Sequence, residues 1–453
     1  MFKLRFSMED FDKFFHRMPD GTLKQINPFS DTEVWCVEER IKGSIINENP
    51  LDSLPVTKKE REDYCDFCEA KYLNCTPEKL RYFINQYQEW DKIYYPSLEK
   101  IKTITPEFKT VGNLFEIVTY DYWKKNYHYE PPEYLKEWMQ HYISDKEGYE
   151  HVMNVLMIKL TRLGIDFKSL TKSEKIKRAE AFFYGCHDLI ISRKHYKENA
   201  KNSADLCSSG ELGREKHFHY MLITIESILR LIKQNPFIRY ISVFQNWLKP
   251  AGASFDHLHR QLVSLDEWGV QMEKEIEKLK YNPNLYNEFA INFSIEENLL
   301  IAENDFAIAI PEIGSIYPTI SIYSKSKNCR PFEHTLEELK EISELLYAIH
   351  HVITNQTTCN EEWYYSPFDS TIPSPWRISI KLRVINPAGF EGNTSIFINP
   401  ISPYKLKEEI CKRLYEARKS NNISKNIRIG NEVSKTYNAL LYSYNKSIER
   451  IVK

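Results

Sequence analysis

Glycine is scarce, with only 14 in 453 residues, and no G-x-x-x-x-G-K or G-x-G-x-x-G run occurs. That argues against a phosphate cradle of the P-loop or Rossmann type. No apolar run reaches the roughly 18 residues a membrane-spanning helix needs. The opening stretch, Met1 to Phe15, is broken by charges and does not read as a signal peptide. Neither sign of charge dominates: 61 Lys and Arg face 63 Asp and Glu, for a net charge of −2. General nucleic-acid or membrane-surface binders carry a basic excess, so neither is expected as a partner. The nine cysteines are odd in number and scattered. This fits a reducing, cytoplasmic setting better than a disulfide framework.

What is present is length enough for roughly two to four structural units, with a full core and no covalent staples. After the turn signal Asn27-Pro28-Phe29-Ser30-Asp31, Glu33 to Glu38 reads as a strand, as do Asn113 to Asp121 and Phe182 to Ser192. Residues 122–180 between them are aromatic, charged and spaced as helix, with Tyr149, Met153 and Met157 on one face. Gly213 to Gln234 is an amphipathic helix, followed by strands over Phe237–Asn246 and His257–Ser264. A second unit begins near residue 286. It has short strands over Leu299–Ala302, Phe306–Ile310 and Thr319–Tyr323, then a helix over Leu336–Ile353 with Thr335 as N-cap. Strands over Trp376–Ile385 and Thr394–Asn399 and a helix over Lys405–Arg418 complete it. Each half runs strands, long helix, strands, which is an α+β pattern.

The most informative stretch is Phe244 to Leu262, ending in His257-x-His259-x-Gln261. On a strand, alternate side chains share a face, so two imidazoles and an amide point one way. That grouping suits metal binding or phosphate chemistry. The small turn Ala251-Gly252-Ala253-Ser254 just before it lets backbone N–H groups approach an anion. Alone, the pattern is more often that of two ordinary histidines. Cys65-x-x-Cys68 has the spacing of a zinc half-site; a redox pair and two plain thiols are the rival readings. Gly185-Cys186-His187-Asp188, running on to His195, displays histidines at both ends of an apolar strand.

Taken in order, these pieces resemble the galactose-1-phosphate uridylyltransferase branch of the histidine-triad superfamily. Phe244, Asn246, Gly252, Ser254, His257, His259 and Gln261 fit its motif without a gap. Asn27-Pro28-Phe29-Ser30 with Glu33 and Trp35 is similar to its opening. Gly389-Phe390-Glu391 and Phe397-Ile398-Asn399-Pro400 are similar to its sugar-side segment, there closest to the ADP-glucose phosphorylase type.

The resemblance implies two histidine-triad-like halves, each an antiparallel sheet with packed helices. These would span residues 1–285, with a helical insertion over 122–180, and 286–425, followed by a helical tail over 426–453. It implies a nucleotidyltransferase or phosphorylase acting on a nucleoside diphosphate sugar by ping-pong transfer. His259 would be the nucleophile, splitting one difficult transfer into two. Gln261 would assist at the phosphate, with Ser254, Asn246 and Asn113 binding the nucleotide and Phe390 and Glu391 the sugar. Cys65, Cys68, His195 and His257 would hold a structural Zn2+. The partners implied are a nucleotide sugar with a sugar phosphate or phosphate, and a second copy of the chain in a homodimer. A dinucleotide polyphosphate hydrolase and an inactive zinc-stabilised nucleotide-binding module are the alternatives. The chain also departs from the pattern. His351 is its last histidine, so the second half lacks a His-x-His metal pair and carries Trp376-Arg377-Ile378-Ser379-Ile380 instead. Lys381 and Arg383 read as a solvated strand face, and Arg260 as pointing away from the histidines.

Overall fold

The computed structural model describes residues 12–37, Ile46 and residues 53–443. Its strands, in chain order, begin with β1 (Phe15–Arg17), β2 (Leu23–Ile26), β3 (Glu33–Cys36), β4 (Glu78–Ile84), β5 (Trp90–Tyr94) and β6 (Phe108–Gly112). They continue with β7 (His187–Ser192), β8 (Tyr240–Trp247), β9 (His259–Leu265), β10 (Ala302–Glu303), β11 (Ala307–Pro311) and β12 (Thr319–Ser324). The last are β13 (Cys359–Tyr364), β14 (Arg377–Leu382), β15 (Ile396–Asn399) and β16 (Arg428–Ile429). The longer helices are α1 (Tyr120–Tyr127), α2 (Glu133–Ser144), α3 (Lys146–Arg162), α4 (Lys172–Tyr184), α5 (Arg214–Gln234), α6 (Val270–Tyr281), α7 (Leu336–Ile353) and α8 (Pro403–Lys419).

Twelve strands form one antiparallel sheet in the order β16-β10-β11-β12-β14-β13-β8-β9-β7-β6-β4-β5. From the central pair outward, β8-β9-β7-β6-β4 and β13-β14-β12-β11-β10 repeat one arrangement. A long helix, α5 or α7, joins the third and fourth strand in sequence of each set. The sheet crosses the expected boundary at 285/286 without a break, through the pairing of β8 with β13. One cluster of buried apolar side chains runs through both halves. Helices α5 and α7 touch where His217 Nδ1 meets Ser343 Oγ at 2.8 Å. A smaller sheet joins β1, β2 and β3 to β15, which is parallel to β3. Its turn is fixed by Asn27, whose side-chain oxygen accepts from the N–H groups of Phe29 and Ser30. Gly314 is packed so closely on Asn27 that a Cβ would lie 2.2 Å from its backbone nitrogen.

The structure corrects several expectations. Asn113 to Asp121 is not a strand; the strand is β6, just before it. Asn113 accepts from the N–H of Phe115, and Thr119 caps α1, so local side-chain bonds win over alternation. Phe182 to Tyr184 end α4, and β7 starts only at His187. The 122–180 region is helical as expected. Its helix α3, however, buries His151, Val152, Val155 and Leu156, while Met157 is exposed. Residues 426–443 hold β16 and a single 3-10 turn rather than a helical tail, because Arg428 and Ile429 pair with β10. Glu38 and residues 444–453 lie outside the described residues.

Candidate active site and metal centre

Strand β9 positions His259 and Gln261. Its register with β7 and β8 puts Gln261 beside Leu189 and Phe244, on the face that also holds His259. Arg260 points to the opposite face, as its position predicts. There it is buried against Glu361, with Nη2 to Oε1 at 2.7 Å, and Glu361 also meets His350 at 2.6 Å.

His257 lies just before β9, and its Nε2–H donates to the carbonyl of Ser192 at 2.7 Å. That leaves Nδ1 facing Cys65 and Cys68 at 3.5 and 3.9 Å. The two sulfurs are 3.7 Å apart, and Cys65 Sγ is 3.4 Å from His195 Nδ1. All four ligand atoms lie within 4.8 Å of one another. A tetrahedral zinc with its usual bond lengths spaces sulfur and nitrogen ligands about 3.4–3.8 Å apart. The donor set and its spacing therefore fit a zinc ion, and a carbonyl partner on the far nitrogen of His257 is a common support for such a ligand. Four protein ligands close the site, the arrangement of a structural rather than a catalytic zinc.

Two residues on, His259 donates Nδ1–H to the carbonyl of His257 at 2.8 Å. Its Nε2 thus keeps the lone pair. Burial holds the ring's pKa well below the ordinary histidine value, so it is neutral near pH 7. His259 lines a cavity of about 610 Å³ together with Gln261, Ser254, Asn113 and His187, a size typical of small-molecule sites. Phe67, between Cys65 and Cys68, packs on the His259 ring at 5.5 Å and on Phe255 at 4.6 Å. The segment that carries the two cysteines thereby supplies an aromatic wall that spacing alone did not reveal.

His259, Gln261, Ser254 and Asn113 thus share one cavity, and Cys65, Cys68, His195 and His257 share one cluster. Asn246 lines a neighbouring cavity with Phe244 and Gln271, its Oδ1 taken by Asn360 at 2.7 Å. Phe390 and Glu391 sit on a short helix, Gly389–Thr394, where Phe390 lies beside Trp35 and Glu391 accepts from the N–H of Ala388. Neither lines the His259 cavity. Lys381 and Arg383 are not a free solvated face: Lys381 is bound to Glu362 at 2.6 Å and Arg383 to Asn360 at 2.9 Å. Sequence reasoning also missed Arg162. It reaches the same cavity from the end of α3 and pairs with Asp66 at 2.8 Å.

Residues 18–442 match the model of a family described as a domain of unknown function, DUF4921. A curated ADP-glucose phosphorylase of Arabidopsis thaliana is 24% identical over 242 residues, which is 51% of this chain and 65% of that protein. The match thus spans just under two thirds of that relative. A crystal structure of an ADP-glucose phosphorylase from Arabidopsis thaliana with bound ADP-glucose superposes with a TM-score of 0.54 at 16% identity. It covers 85% of this chain and 97% of that one. A GalT-like protein from the same plant gives the same figures. These likenesses establish the fold.

Proposed function

The chain belongs to the DUF4921 family and has a GalT-like fold, and from its site we propose a nucleotidyltransferase or phosphorylase acting on a nucleoside diphosphate sugar. One observation carries the reading: a neutral, oriented His259 whose Nε2 lone pair is left for a cavity shared with Gln261, Ser254 and Asn113. In the first step Nε2 attacks the α-phosphorus. The bond to the bridging oxygen breaks, and the hexose 1-phosphate departs. In the second step a phosphate oxygen of the acceptor attacks the nucleotidyl-histidine and restores the free ring. Charge building on the non-bridging oxygens is met by Gln261 and Ser254, which line the cavity beside His259. The cluster of Cys65, Cys68, His195 and His257 holds a structural zinc in this reading. It braces the His257 carbonyl that orients His259. Nine unbridged cysteines accord with a cytoplasmic setting.

The relative's bound ligand makes ADP-glucose the first donor to try. The test is intact-protein mass spectrometry after brief incubation with a panel of nucleoside diphosphate sugars and no acceptor. An acid-labile gain of one nucleoside monophosphate is expected, absent in His259→Gly, with zinc content unchanged in that variant. Release of the adduct by phosphate, by a sugar phosphate or by water alone then distinguishes phosphorylase, transferase and hydrolase. No adduct from any donor on a folded, zinc-loaded protein sinks the reading.

A further inference from the structure

His187 sits at the start of β7, fully buried, with both ring nitrogens engaged. The backbone N–H of Ile117 points at Nδ1 from 3.1 Å. A backbone N–H can only donate, so Nδ1 carries a lone pair. In a neutral imidazole the single hydrogen is then on Nε2. Two groups lie near Nε2: Gln261 Oε1 at 3.2 Å and Asn113 Nδ2 at 3.0 Å. Only the first accepts, because Asn113 Oδ1 is already turned to the N–H of Phe115 at 2.9 Å. The ring hydrogen therefore occupies the one acceptor of the Gln261 amide. Its NH2 is the part that remains for a ligand, and the Asn113 NH2 beside it makes no bond to the ring.

We propose that His187 is a positioning residue that fixes which way round the Gln261 amide stands, so that the cavity wall beside His259 offers N–H donors and no competing acceptor. The inference rests on the nucleotidyl-transfer reading for its consequence: donors, not a carbonyl oxygen, then face the phosphoryl oxygens. A glutamine at position 261 is otherwise free to present either end. The loop that aims Ile117 at the ring is itself tied to β7, through the Asn113 N–H bond to the His187 carbonyl at 2.8 Å. Strand, loop and amide thus form one closed set.

Two measurements test it. Histidine-selective 15N NMR of the full chain, with His187 assigned by its loss in His187→Gln, is expected to show hydrogen on Nε2 at neutral pH. Hydrogen on Nδ1 overturns the proposal whatever the enzyme does. The second is a double-mutant cycle on the single-turnover rate of adduct formation. His187→Leu is expected to slow it by about tenfold or more. It should add nothing in a Gln261→Ala background, since a residue that acts through another has no effect once that other is gone. His187→Gln, able to accept from Ile117 and donate to Gln261, should restore most of the rate with a similar unfolding midpoint. An equal loss in both backgrounds, or no loss in either, overturns the proposal. If the wild type forms no adduct, the transfer reading fails separately. The same cycle is then run on the Kd for ADP, where a loss confined to the Gln261 background supports the proposal and equal or absent losses overturn it.

Discussion

The imidazoles of buried His187 and His259 and of half-buried His219 are held neutral by desolvation, which disfavours the charged form. For His187 the pKa is pushed down to about 4, against about 6.5 in an unfolded chain. The unfolded state therefore binds the extra proton first. Stability from this residue is fully present above about pH 6.5 and is lost as pH falls toward about 4. Glu116 pulls the other way: burial raises its pKa to about 7, so its contribution falls as pH rises. A comparison of wild type with His187→Gln isolates the histidine. The variant should lose up to about 1.4 kcal/mol per pH unit of slope across that window, read as denaturant midpoints at a series of pH values. Equal slopes would show that His187 takes up its proton alike in the folded and unfolded chain.

At the scale of elements, the insertion helix α3 is joined to the segment that carries Cys65 and Cys68. Tyr142 donates to His151 Nδ1 at 2.8 Å, so Nε2–H donates to the carbonyl of Cys75 at 2.9 Å. His151→Ala strands a buried hydroxyl and a buried carbonyl. It is expected to cost about 1–3 kcal/mol, measured by chemical denaturation. If it costs nothing, α3 is only loosely seated on the segment that carries Cys65 and Cys68. The sequence showed that this region is helical, but misplaced its inner face. Tyr149, Met153 and Met157 looked like a stripe, whereas the core takes Val152, Val155, Leu156 and Leu160 with Gly148 and His151; a helix apolar on more than one side does not announce its inner face by spacing alone. The His257-x-His259-x-Gln261 alternation was legible because a strand's period is short and rigid. The loop at Asn113 was not, since apolar alternation cannot register a single asparagine side chain that turns the backbone. Nor can spacing show that Phe67 and Arg162, far apart in the chain, close the same cavity.

At the scale of the molecule, the buried Arg260–Glu361 ion pair, with His350 bonded to the same carboxylate, sits at the join between the two halves. Arg260 also donates to Thr224 on α5 at 2.8 Å, so the cluster binds β9, β13, α5 and α7 together. Removing Glu361 leaves the buried Arg260 guanidinium without its counter-charge. Glu361→Leu should destabilise the protein by about 3–5 kcal/mol, read from the midpoint of cooperative unfolding. Two separate transitions in that variant would mean that the halves fold independently once the cluster is gone.

The two sets of strands have the same order, yet only one bears histidines on its open face. Where β9 has His259 and Gln261, β14 has Arg377, Ser379 and Lys381. The packed face of each set, with its long helix, is what the fold depends on. The other face differs between the two sets, and in the second it buries Arg377 against Glu275 at 2.6 Å. A sheet of this kind works as a page with two sides, one shared by both halves and the other written differently in each. The half without histidines there shows how far the open side can differ while the architecture stays the same.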